Sequence, residues 1–193
     1  MAVNASRPRV TVERIVDCAI DVLEEEGVDA LTTTNIARRL GVSQPALYAH
    51  VANLDEIKER TALRGAAELS ERLREAIDDR TGDDALHAMA HAYRDYVRAH
   101  PALYLLMLRV RNPGHYLEET ERMAEAARSV FRSYGLDEDA VRDAHRAFRA
   151  AVHGFVHLEA NGAMPGGPAE RDRGFDSFIR LFAAGLRGSA TTR

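Results

Sequence analysis

Apolar residues recur at intervals of three and four through nearly the whole chain, and nowhere alternate with polar ones as a half-buried strand requires. Val12, Ile15, Val16, Ala19, Ile20 and Leu23 step along one face of a first helix capped by Thr11 and ended at Gly27. Ile36, Ala37 and Leu40 mark a short second helix, and Ala46, Leu47 and Val51 a third. Asn53 caps a fourth, with Asp55 and Glu56 favourable in its first turn, running to about Ala76. Further helices are predicted over Ala85–His100, Ala102–Arg111, His115–Ser133, Asp137–Asn161 and Arg171–Leu186. Pro101, Asn112-Pro113-Gly114, Gly135 and the loop Gly162–Pro168 separate them. The pattern predicts an all-α chain of about nine helices, with a domain junction inside the fourth near Arg60, giving residues 1–60 and 61–193.

The stretch Thr32–Ile57 carries the sharpest local signal. Gly41 suits a left-handed C-cap, Val42 plugs the angle between two short helices, and Ser43 caps the second. This is a helix-turn-helix, whose second helix enters a DNA major groove by its N-terminal end. Gln44 can pair bidentately with adenine N6 and N7, and Pro45 and Ala46 offer carbon to a thymine methyl. Thr33, Thr34, Ser43 and Tyr48 supply positioning hydrogen bonds, and Arg38 a cation. His50 suits either a phosphate contact or helix packing.

Net charge of −4 sits awkwardly with nucleic acid, and residues 1–60 hold seven cations against ten acids. Between Leu31 and Ala52, however, the charged residues are Arg38 and Arg39, and the local face matters more than the sum. Arg7 and Arg9 fall in a non-periodic segment, Met1–Val10, that reads as a flexible arm. Glu24, Glu25 and Glu26 crowd the negative end of the first helix, where each costs a few tenths of a kcal/mol, and solubility is their only evident purpose.

The run Thr32–Ile57 resembles the DNA-binding half of the TetR (tetracycline-repressor) family, through its Thr-x-x-x-Ile-Ala start, Gly-Val-Ser turn and Leu-Tyr-x-His end. The likeness spans about Thr11 to Glu59. It departs where the family has Phe and then Lys after the His, places that hold Val51 and Leu54 here, so a phosphate-binding cation is missing. Tyr93–Gly162 resembles the family's WHG-type C-terminal ligand domain, with Val152-His153-Gly154 in place of Trp-His-Gly. The resemblance implies a repressor that binds a palindromic double-stranded operator as a dimer, is released by a small molecule, and dimerises through its last two long helices.

Tyr93, Tyr96, His100, Tyr104 and Met107, with Phe148, Val152, His153 and Phe155, offer aromatics, a methionine and polar tips suited to a partly apolar effector. Val141 and His145 on one helix, and Phe175, Phe178, Ile179 and Phe182 on the other, form seams assigned to the dimer interface.

His153 and His157, with Glu159 near, and His87 and His91 repeat a one-turn spacing that can share a metal. Each pair supplies two ligands and no Cys joins it, so both read as pocket or core histidines, with no metal or other cofactor expected. No glycine-rich phosphate loop, nucleophile elbow or Ser-His-Asp order suggests catalysis. The competing reading is a ligand-binding bundle or metal-dependent enzyme with an incidental helix-turn-helix. A single cysteine, Cys18, and the lack of a membrane-length apolar run point to a cytoplasmic chain with no membrane partner.

Overall fold

The computed structural model describes residues 10–110 and 115–191. The basic arm with Arg7 and Arg9 and the Asn112-Pro113-Gly114 break lie outside them. Among the described residues there are nine α-helices, one short 3-10 turn and no strand. The chain divides into two compact units, Met1–Gly65 with Ala102–Asn112, and Ala66–Pro101 with Pro113–Arg193.

In the first unit, α1 (Val12–Glu26) is capped by Thr11, whose Oγ1 accepts from the Arg14 amide. Its buried face is Ile15, Val16, Cys18, Ala19, Val22 and Leu23, so Cys18 and Val22 join the stripe read from sequence while Val12 and Ile20 are only half-buried. Gly27 ends it at φ 87°, and a 3-10 turn, Val28–Ala30, leads to α2 (Thr33–Leu40) and α3 (Gln44–Tyr48). The third helix is shorter than its apolar spacing predicts. Ala49 and His50 form a turn and Val51 is buried outside any helix, because the chain must leave α3 to bring the Asn53 side chain over the start of α4 (Leu54–Ile77). There the Glu56 amide donates to Asn53 Oδ1 at 2.9 Å while Glu56 accepts from the Ala52 amide at 2.6 Å.

The glutamates at the end of α1 have work that the sequence does not reveal. Arg39 donates to Glu25 and Glu26, Asn35 donates to Glu26, and Glu24 accepts from the Leu103 amide at the start of α6 (Pro101–Arg109). They tie α1 to α2 and satisfy an otherwise orphan helix donor. Gly65 faces α6 closely enough that a Cβ there would lie 3.0 Å from both Leu103 Cγ and Met107 Sδ.

The second unit holds the later turns of α4, then α5 (Gly82–Ala99), α7 (His115–Arg132), α8 (Glu138–Ala160) and α9 (Pro168–Thr191). Asp137 caps α8 as predicted, through the Ala140 amide at 2.9 Å. Helix α9 begins three residues before the predicted start because Pro168 is preorganised for the first helical position. Leu86, Met89, Tyr96, Val97, Phe131, Val141, Phe148, Val152, Val156, Phe175 and Ile179 are buried within this unit.

Candidate functional site

In the first unit, Gly41 takes the left-handed conformation at φ 68° and ψ 33°, and the Val42 amide reaches back to the Ala37 carbonyl at 3.0 Å. Ser43 Oγ then accepts from the Ala46 amide, and Pro45 occupies the first turn of α3. Leu47 is the buried anchor of α3, which turns Ser43, Pro45 and Tyr48 to solvent and leaves Gln44, Ala46 and His50 half-covered. Gln44 Nε2 donates to Thr34 Oγ1 at 2.7 Å, and the Tyr48 hydroxyl donates to Thr33 Oγ1 at 3.5 Å. The first turn of α2 and the outer side of α3 thus share one polar face.

The cations near that face divide. Arg39 is drawn to Glu25 and Glu26, while Arg38 keeps 69% of its side chain exposed, with Asn35 as hydrogen-bond acceptor and Glu26 at 4.0 Å. Its arginine charge therefore comes chiefly from Arg38.

Of the residues assigned to an effector, two belong to the first unit and the others to the second. Tyr104 and Met107 are buried in the first unit. In the second, the Tyr93 hydroxyl lies 3.1 Å from His153 Nε2, and the Tyr96 and His100 rings are 4.9 Å apart. Burial, reinforced by the Arg149 charge, pushes His153 down to about 4. Val152 is buried, Phe148 packs on Phe131, and Phe155 on Phe175.

Val141, Phe175 and Ile179, assigned from sequence to a dimer interface, are fully buried within one chain, and Phe178 stacks on Phe148 with Phe182 beside it. These contacts cover much of the seam within the chain, where α8 also packs on α7 and α9 on α5. His145 is half-buried, and burial holds it below the ordinary histidine range. Among the described residues, the large apolar side chains most exposed on these helices are Leu158 and Leu181, at 45% and 72%.

One network escaped sequence reasoning. Arg94 on α5 is 1% exposed and grips Glu159 of α8 bidentately, Nε to Oε2 at 2.8 Å and Nη2 to Oε1 at 2.7 Å. Asp172 of α9 lies 2.9 Å from the same guanidinium, Arg98 joins both acids, and the Phe175 ring centre is 4.6 Å away. Hydrogen bonds from Arg94 hold the Glu159 carboxyl below the usual carboxylate range. No local signal marks this pairing, since its members are more than sixty residues apart in the chain.

Residues 15–57 match the profile of bacterial regulatory proteins of the tetR family, and residues 86–182 that of the tetracyclin repressor-like C-terminal domain. An uncharacterized HTH-type transcriptional regulator of Mycobacterium tuberculosis is 33% identical over 192 residues, covering 97% of this chain and 87% of its own. The chain belongs to the tetR family. It is a DNA-binding transcriptional regulator. Among solved structures, a protein from Rhodococcus sp. RHA1 shares the fold at a TM-score of 0.80, 24% identical and covering 91% of this chain and 95% of its own. BioQ, solved with its natural double-stranded DNA operator, is 25% identical at a TM-score of 0.69, covering 92% of this chain and 98% of its own. The helix-turn-helix of this tetR-family regulator is therefore no incidental feature of a bundle, and its family is one of transcriptional regulators.

Proposed function

We propose that this regulator binds a near-palindromic operator as a homodimer and is released from it by a small, partly apolar effector. The observation that carries this reading is the polar face shared by α2 and α3. There Thr33, Thr34, Arg38, Ser43, Gln44, Pro45, Ala46, Tyr48 and His50 form the DNA contact: Gln44 reads a base and the rest position the helix. The operator-bound state of BioQ supports it.

A second copy packs against the outer faces of α8 and α9, around Leu158 and Leu181, with Phe178 and Phe182 at the edge. The effector is held in the C-terminal unit, where Tyr93 and His153 supply a paired polar anchor among apolar neighbours. Helix α4 is continuous from Leu54 to Ile77, and a ligand that shifts it changes the spacing of the two reading helices. The protein works in the cytoplasm and carries out no catalysis of its own.

Fluorescence anisotropy with duplex DNA from the region upstream of its own gene tests the reading. Saturable binding of one dimer per duplex, resistant to competitor DNA, is expected. Binding that competitor DNA removes entirely would overturn it. Linkage requires that any effector found by thermal-shift screening bind the operator complex more weakly than the free protein, by the factor it costs the operator.

A further inference from the structure

His87 and His91 lie one turn apart on α5, so both imidazoles leave the helix on the same side. Their ring centres are 4.3 Å apart. The sequence offers this pair two ligands and no third, but α9 brings one from 85 residues away. Asp176 Oδ1 lies 2.9 Å from His91 Nε2 and 3.8 Å from His87 Nε2. Among the described residues, these are three metal-ligand side chains whose donor atoms all lie within 4.8 Å of one another.

We propose that His87, His91 and Asp176 bind a divalent transition-metal ion of the zinc class, clamping α5 to α9.

Three features favour an ion over a plain imidazole–carboxylate pair. Both Nε2 atoms face the same carboxylate oxygen, an arrangement that a shared cation satisfies. Bond lengths of about 2.0–2.1 Å in a tetrahedral shell place ligand atoms roughly 3.4 Å apart, between the two His–Asp separations seen. His91 is braced by Phe175, whose ring meets it edge-on at 5.3 Å, whereas His87 keeps 56% of its side chain exposed and can swing to close the shell. Asp172, one turn earlier on α9, differs because Arg94 and Arg98 occupy it.

Two nitrogens and one oxygen suit Zn²⁺, Co²⁺ or Ni²⁺, and fit Mg²⁺ and Ca²⁺ poorly because those ions demand oxygen ligands. Three protein ligands leave a position for water. No carboxylate beyond the ligand itself stands in this cluster to act as a base, so the ion's role is to fasten two helices.

Calorimetric titration of the metal-free full-length protein with Zn²⁺, without DNA, is the test. One ion per chain is expected, with a visible absorption band of tetrahedral intensity when Co²⁺ replaces it. Because His87 is exposed, His87→Gln should keep the native circular dichroism while lowering Zn²⁺ affinity more than about 100-fold, beyond what loss of a supporting residue usually costs. Asp176→Asn should do the same, and His157→Gln should change nothing. No measurable binding, or a loss on His157→Gln but not on His87→Gln, would overturn the proposal. The readout does not involve the operator, so its failure leaves the DNA-binding reading untouched.

Discussion

Gln44 Nε2 donates a 2.7 Å hydrogen bond to Thr34 Oγ1, so the residue proposed to read a base rests, in the free protein, on the first turn of the preceding helix. A bond between neutral groups at an exposed site contributes only about 0.5–1.5 kcal/mol, and a bidentate pair with adenine repays its loss. The contact orients the amide without locking it.

Gln44→Ala is therefore expected to weaken specific operator binding by about 1–3 kcal/mol while leaving non-specific binding unchanged. Anisotropy titrations with operator and scrambled duplexes at one salt concentration measure both. Equal losses on the two duplexes would show that Gln44 reads no base.

Leu181 is 72% exposed on α9. Leu181→Glu should leave circular dichroism unaltered and shift sedimentation from dimer to monomer, because a charge is placed in an apolar contact. Operator affinity should fall with it. Phe178→Glu is a poorer probe, since Phe178 also stacks on Phe148 and its loss harms the fold itself. A Leu181→Glu protein that sediments as the parent would move the interface elsewhere.

The Arg94–Glu159 pair is a stability element, buried on both sides at 1% and 10% exposure. Glu159→Ala leaves a buried guanidinium with Asp172 as its remaining acid and should cost about 3–5 kcal/mol in urea unfolding. The pH dependence follows from the lowered folded-state pKa of Glu159. Its contribution is full above the ordinary glutamate value of 4.5 and is lost as pH falls through the lower folded value. Glu159→Gln should thus reduce stability at neutral pH and flatten the acid limb below 4.5. A parent-like acid limb in Glu159→Gln would assign that limb to other carboxylates.

His153 acts over a different window. Its folded value of about 4 lies below the ordinary 6.5, so between these pH values the unfolded chain takes up a proton that the folded chain refuses. Stability should fall as pH drops across that range, by up to about 3 kcal/mol in all. Histidine NMR titration should show this ring still neutral at pH 5. His153→Gln should remove the slope, and an unchanged slope would mean that the ring is wetter than its burial indicates.

Much of this fold is legible locally because helices announce themselves locally. The stripe of α1, the Gly41 turn and the Ser43 and Asp137 caps are short-range hydrogen bonds and periodic burial, and the sequence by itself determined them. It also placed the polar residues of α2 and α3 where they share a face, since the turn between those helices is only three residues long. Tertiary structure alone decided which side of an apolar helix meets which neighbour. Val141, Phe175 and Ile179 have the spacing of an interface but are buried, because α7 packs on α8 and α5 on α9 within the same chain. Charges were the least legible of all. Glu24–Glu26 look unfavourable at a helix end until Arg39, Asn35 and the Leu103 amide arrive, and His87 and His91 look like an idle pair until Asp176 does. Such partners are tens of residues away, and their attraction depends on distance and desolvation that no local pattern encodes.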